Sequence, residues 1–180
     1  MAVTGLAVHL SVGSPILFRQ QRAGLRGHEF QLFKFRTMRE AFGENGAPLS
    51  DEQRVTRVGR FLRRARLDEL PELLLVAGGE MSLVGPRPLP AATLVSHGVL
   101  DVRSTVRPGL TGLAQVSGNT LLSNEEKFAV DIYYNAHHSV AGDLLILLQT
   151  LQTVIRGERR NEALIQKAKA YADHPDRRGR

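Results

Sequence analysis

Cysteine and tryptophan are absent from the 180 residues, and aromatic residues make up only 6%. Without cysteine there is no disulfide scaffold, no thiolate zinc site and no cysteine nucleophile, and the chain suits a reducing compartment. It also lacks a run of ~20 mostly apolar residues, which a membrane-crossing helix needs. The amino terminus comes nearest, because residues 1–18 carry no formally charged side chain. Thr4, His9, Ser11, Gly13, Ser14 and Pro15 interrupt it, and it has neither the basic n-region nor the cleavage site of a signal peptide. A short buried core helix and part of a membrane-embedded segment both fit this stretch. Lysine is scarce too, only 4 of the 24 Lys+Arg.

What is present describes a folded protein. Hydrophobic residues are 42% and charged residues 23%, and the length suits one domain with a real core better than two. The net charge of +6 favours phosphate-bearing partners, and arginine grips phosphate through two parallel donors. Residues 2–10 read as a short helix stopped by Gly13 and Pro15. Residues 16–22 and 29–37 read as two strands around a Gly24–Gly27 turn. Residues 43–50 form a surface loop, and Val58, Phe61, Leu62 and Ala65 give 57–66 an amphipathic helical face. A helix from Glu69 to Ala77 stops at Gly78-Gly79. Residues 80–90 and 104–120, rich in Gly and Pro, are expected to be ordered loops. Long helices follow at about 123–137 and 140–157, and the tail from Arg156 reads as a solvated basic appendage, helical or not.

Charge is concentrated. Between Arg19 and Arg66 there are twelve Lys+Arg against five Asp+Glu, and six arginines (54, 57, 60, 63, 64, 66) fall within thirteen residues. Arg57, Arg60 and Arg64 share one helical face. A merely solvated face mixes signs to limit repulsion, so unmixed arginines point to an anion nearby. Asp68 and Glu69 come next. Asp68 fits a helix N-cap, with Pro71 harmless in a first turn. The helix dipole and the arginines are expected to keep Asp68 ionised, as a nucleophile or metal ligand. Two adjacent carboxylates offer hard oxygens to Mg²⁺, which completes its shell with substrate phosphates. His137-His138 are adjacent and cannot face one metal from a helix, and they are expected on the surface.

Several blocks of residues together match one family. They are Phe18-Arg19-Gln20 with Gly24, Lys34-Phe35-Arg36-Thr37-Met38, Leu67-Asp68-Glu69-Leu70-Pro71, and Met81-Ser82-Leu83-Val84-Gly85-Pro86-Arg87-Pro88. Val106 to Val116 and Asp131-Ile132-Tyr133-Tyr134 follow in the same order. Over residues 16–157 the chain closely resembles the bacterial sugar transferases, the monotopic polyprenyl-phosphate phosphoglycosyl transferases. The resemblance implies an α/β, mostly α, single catalytic domain with a small β-hairpin near the N terminus and amphipathic surface helices. It implies transfer of a sugar 1-phosphate from a nucleoside diphosphate sugar, usually a UDP-sugar, to undecaprenyl phosphate. The phospho-sugar would pass through a covalent adduct on Asp68, with Mg²⁺ held by Asp68 and Glu69. Lys34, Arg36, Arg63, Arg87, Arg107, Gln115 and Asp131 are the implied substrate- and phosphate-binding residues. For Arg87 and Arg107 the plain alternative is an ion pair with a carboxylate such as Asp131. The implied location is the cytoplasmic face of the bacterial inner membrane.

The resemblance has departures. Relatives begin with a long re-entrant membrane helix, and Ala2 to Leu10 resembles only its second half. The expected division is therefore a remnant of that helix at 1–15, a catalytic domain at 16–157 and a basic tail at 158–180, with only peripheral attachment to the membrane. Leu73-Leu74-Leu75-Val76 stands where the family more often has a polar or aromatic break. Two other classes fit parts of the sequence: a catalytically impaired family member, and a basic nucleic-acid-binding module. Against the second, the arginine helix leads straight into carboxylates, which repel a nucleic-acid backbone, so nucleic acid is not an expected partner.

Overall fold

The computed structural model describes residues 1–42, 46–47 and 49–174. Gly43 to Asn45 and Pro48 of the expected surface loop, and residues 175–180 of the expected tail, lie outside the described residues. In chain order the elements are α1 (Ala2–Val12), β1 (Leu17–Ala23), β2 (Glu29–Phe35), α2 (Asp51–Arg54), α3 (Arg57–Arg64), α4 (Glu72–Ala77) and β3 (Ser82–Val84). They continue with α5 (Ala91–Ser96), α6 (Leu100–Arg103), β4 (Gly109–Thr111), α7 (Leu113–Val116), α8 (Asn124–His137), α9 (Val140–Arg156) and α10 (Glu162–Ala172). Helix predominates in a mixed α/β fold, the expected class. No helix among the described residues is long and apolar enough to cross a membrane. The chain divides into two compact units, residues 1–20 with 31–74, and residues 21–30 with 75–180.

In the first unit Val8, Phe35 and Leu62 form a core against Val12, Ile16, Leu17, Val58, Leu67 and Leu70. Helix α1 buries Gly5 and Val8 and leaves Val3, Leu6 and Leu10 exposed, so it is a core helix on one face only. Thr56 caps α3 by accepting the Gly59 N–H at 2.9 Å. A Cβ at position 59 would lie 2.1 Å from the Thr37 carbonyl oxygen, so only glycine lets α3 pack backbone against backbone there. That approach turns the Gly59 and Leu62 face inward. Phe61, expected on the buried face, is 63% exposed for this reason.

The Asp68 region departs further from expectation. Leu67–Glu69 form a 3₁₀ turn entered through Arg66 in the left-handed region (φ 57°), and α4 begins only at Glu72. Leu73 and Leu74 donate to the carbonyls of Leu70 and Pro71, an i to i−3 pattern. Pro71 has no N–H with which to extend a regular helix backwards. Asp68 therefore sits inside the turn and does not cap a helix.

In the second unit the two Gly/Pro-rich stretches are not loops throughout. They contain β3 and β4, which pair in parallel with Ser82 opposite Gly109 and Val84 opposite Thr111. Helix α7 and a 3₁₀ turn at Asn119–Leu121 also fall within them. The glycines that suggested loops are what permits the pairing: a Cβ at Gly85 would lie 2.5 Å from the Arg107 carbonyl oxygen. Helices α8 and α9 stand where expected. Ser123 and Glu126 close a capping box at the start of α8, and Ser139 caps α9. The end of the chain is a correction. Helix α10 is no solvated appendage, because Ile165 and Ala168 are fully buried with Ala129 and Val130 of α8. Ile165, Ala168 and Ala172 repeat at helical spacing beneath the surrounding charges.

Candidate active site

Strand β2 brings Lys34 to the turn and helix that carry the carboxylates. Its Nζ lies 2.8 Å from Glu69 Oε1 and 3.1 Å from Glu72 Oε1. Glu69 ends the 3₁₀ turn and Glu72 opens α4, and both are buried. Arg66 Nη1 reaches Glu69 Oε2 at 3.4 Å, which gives its left-handed backbone a use: the guanidinium returns onto the turn that the backbone has just entered. Two acids and two bases are thus balanced, and Asp68 adds a further negative charge. The half-buried Asp68 carboxylate accepts a hydrogen bond from its own backbone N–H. Burial, then the charge of Glu69, pushes its pKa above the usual 3.8, against the pull of Lys34, that hydrogen bond and Arg63. The dipole and the arginines, expected to favour the ionised form, do not bring the value down. A short 3₁₀ turn supplies little dipole, and burial outweighs the cations.

Arg63 extends from α3 and donates through Nε to Thr37 Oγ1 at 2.8 Å. Thr37 is buried, so one edge of the guanidinium is fixed while the side chain as a whole stays exposed. Arg36 donates to the Pro15 carbonyl at 2.9 Å and to Glu40 at 3.3 Å, and borders a cavity with Ile16, Phe18 and Arg19. Asp68, Glu69, Lys34 and Arg63 are therefore gathered in the first unit, and Arg36 is committed to a separate wall of that unit.

In the second unit Arg87 follows β3 and Arg107 precedes β4. The Gly109 N–H donates to the Pro86 carbonyl at 2.9 Å, which ties the two loops together. Arg107 is exposed. Asp131, expected among the phosphate ligands, is 3% exposed and accepts from Arg103 Nε at 2.8 Å. Arg103 is thus the arginine that pairs with this carboxylate. Its Nη2 also donates to the Arg87 carbonyl, so a buried ion pair holds the backbone of the Gly-Pro-Arg-Pro loop. Gln115 is buried and donates to the Leu110 carbonyl at 3.2 Å, bracing β4 against α7. His137 and His138 are exposed, as expected, and His137 stacks on Tyr133.

The residues that sequence reasoning missed are Glu72, Arg66, Thr37 and Arg103. Glu72 left a signal in its position three residues after Glu69, and Arg66 in its place at the end of the arginine run. The others owe their roles to residues far away in sequence. Among the described residues no three His, Cys, Asp or Glu side chains converge on a complete metal cage. A carboxylate pair suits a hard cation such as Mg²⁺, which takes most of its ligands from phosphate and water. Asp68 and Glu69 offer donors of that chemistry, and the Glu69 oxygens are also held by Lys34 and Arg66.

Such a centre is the equipment of an enzyme that handles phosphate through hard oxygen ligands and fixed cations. The bacterial sugar transferase family matches residues 1–157, and the chain belongs to it. The sugar transferase EpsL of Bacillus subtilis is 44% identical over 152 residues, covering 84% of this chain and 75% of that protein. The UDP-glucose:undecaprenyl-phosphate glucose-1-phosphate transferase of Caulobacter vibrioides is 43% identical over 166 residues, covering 86% of this chain and 62% of that protein. A UDP-N-acetylgalactosamine-undecaprenyl-phosphate N-acetylgalactosaminephosphotransferase of Aeromonas hydrophila is 35% identical, and there the match covers 39% of the relative. The chain thus spans three quarters of the first of these relatives and less than two thirds of the other two.

Proposed function

We propose that the chain is the catalytic part of a phosphoglycosyl transferase that moves a sugar 1-phosphate from a UDP-sugar to undecaprenyl phosphate. The Asp68 carboxylate attacks the phosphorus next to the sugar, and the bond to the nucleoside monophosphate breaks. An acyl phosphate then joins Asp68 to the sugar phosphate. An oxygen of undecaprenyl phosphate attacks the same phosphorus, the Asp68–phosphorus bond breaks, and the carboxylate returns. Using one nucleophile for both displacements lets donor and acceptor occupy one phosphate site in turn. Lys34, Arg63, Arg87 and Arg107 neutralise phosphate charge, the principal demand of such a transfer. When bound at Asp68 and Glu69, Mg²⁺ supplies further neutralisation. Glu72 and Arg66 keep Lys34 and Glu69 in place, and Arg103 with Asp131 holds the loop that carries Arg87.

A half-buried carboxylate whose hydrogen bond comes from its own backbone, with two cations acting on it, is the observation that carries this assignment. Nucleotide sugars and a polyprenyl acceptor meet at the cytoplasmic face of a bacterial membrane. The exposed apolar face of α1 and the exposed stripe Val140, Leu144, Leu148, Leu151 and Ile155 on α9 suit that surface. The deciding experiment uses Asp68→Asn, which keeps shape and hydrogen bonding. Release of nucleoside monophosphate should fall by about 10⁴-fold, the scale of losing a nucleophile, and radiolabelled phospho-sugar should no longer be trapped on the protein. Substantial residual turnover would refute the covalent route.

A further inference from the structure

The arginines on the outer face of α3 are not used by the chemistry above. They border an open concavity of about 480 Å³ lined by Ser11, Arg39, Glu52, Arg54, Arg57 and Arg60, together with backbone between them. Four arginines face one carboxylate in this lining, and Asp51 stands 3.8 Å from Arg54. Three of the four guanidinium groups are held by backbone carbonyls. Arg39 Nε donates to the Ser11 carbonyl at 2.8 Å, Arg54 Nε to the Arg39 carbonyl at 3.2 Å, and Arg60 Nη1 to the Val55 carbonyl at 3.3 Å. Each of these bonds uses one of five donors, so most remain available to a ligand.

The position of the cavity identifies the ligand. Ser11 lies in the last turn of α1, and its hydroxyl donates to Thr56 Oγ1 at 2.8 Å, fixing the end of α1 to the cap of α3. Along the same helix Val3 is 83% exposed and Leu10 77%. An uncovered apolar helix face that ends at a preorganised basic cavity supplies both components of binding to an anionic membrane, acyl-chain contact and headgroup attraction. We propose that the Arg39–Arg54–Arg57–Arg60 cavity binds the phosphodiester headgroup of an anionic lipid and sets the depth at which α1 lies in the membrane. The proposal rests on the membrane-surface reading of α1, but its test does not depend on sugar transfer.

The full chain is mixed with vesicles of phosphatidylcholine alone or with added phosphatidylglycerol, and bound protein is measured by sedimentation. Phosphatidylglycerol should raise binding. Arg57→Gln/Arg60→Gln should lower that gain about 30-fold, at ~1 kcal/mol per arginine near an anionic surface. Arg156→Gln/Arg159→Gln, outside the cavity, should lower it less. Equal losses from the two pairs would mean diffuse attraction and overturn the site. No loss from the first pair would do the same. Displacement of the protein from vesicles by millimolar inorganic phosphate would assign the cavity to a free anion and overturn the lipid. Arg57→Gln alone, at an exposed position, repeats the test if the double variant misfolds. Sugar transfer in detergent should survive in every variant, so its loss from the wild-type chain would count against the catalytic reading and leave this one standing.

Discussion

Each unit buries an ion-paired cluster, and the two clusters differ in what they leave over. In the second unit Arg103 and Asp131 form a one-to-one pair, each side chain 4% exposed, with the arginine also bound to the Arg87 carbonyl. Nothing in that pair invites a ligand, and its effect is to hold a loop. In the first unit Lys34 serves two carboxylates, Arg66 joins one of them, and Asp68 adds a third acid whose pKa is driven upward. Arg63 also acts on Asp68, and the half-buried Asp68 leaves that cluster partly open. The contrast separates a closed ion pair from a partly open cluster more clearly than burial does.

The largest effect should come from breaking the closed pair. Arg103→Met leaves Asp131 buried without a counter-charge and should cost about 3–5 kcal/mol in denaturant unfolding. The double variant Arg103→Met/Asp131→Leu should recover most of that loss, because both charges are then gone. If the single variant were as stable as the wild type, the pair would be no keystone.

The open cluster should respond mainly in its pH profile. On the route proposed above activity needs ionised Asp68, so the acid limb of kcat/KM should lie above the usual carboxylate value of 3.8, because burial and Glu69 raise it. Glu69→Gln removes the raising charge and should shift the limb of its residual activity to lower pH. Arg63→Met removes a lowering charge and should shift it higher. Limbs that do not move would mean another group controls turnover. A smaller change is expected from Glu72→Gln, within about 1 kcal/mol of stability, since Lys34 keeps Glu69. Near equality with Arg103→Met would erase the distinction between the clusters.

The smallest expected effect concerns the Arg160–Glu126 pair. Hydrogen bonds from Arg160 at 3.0 and 3.1 Å hold the Glu126 carboxyl at about 2, below its ordinary 4.5. A depressed carboxylate stabilises the fold fully above its unfolded value and loses that contribution as pH falls from 4.5 towards about 2. Glu126→Gln should therefore flatten the acid side of the stability curve over that window. An unchanged slope would show that the pair contributes little.

Much of this was legible beforehand. The helices expected at about 123–137 and 140–157 stand as α8 and α9, and the rough alternation of Phe30, Leu32 and Phe33 to Phe35 with polar residues marked β2, because periodicity is a local signal. The Asp68-Glu69 pair and the arginine run were legible as chemistry. The start of α4, the exposure of Phe61, the β3–β4 pairing and the docking of α10 were not, because each depends on how closely separate stretches of backbone approach.

From the sequence alone follow the elements whose hydrogen bonds close within a few residues, the surplus of arginine and the adjacent carboxylates. Tertiary structure alone decides which charges meet. Lys34 reaches Glu72 across 38 positions, and Arg103 reaches Asp131 across 28. No periodicity encodes such distances. Both contacts depend on where packing places the elements that carry them, and so does the direction of the Asp68 pKa, since burial is a property of the folded surroundings and not of the residue.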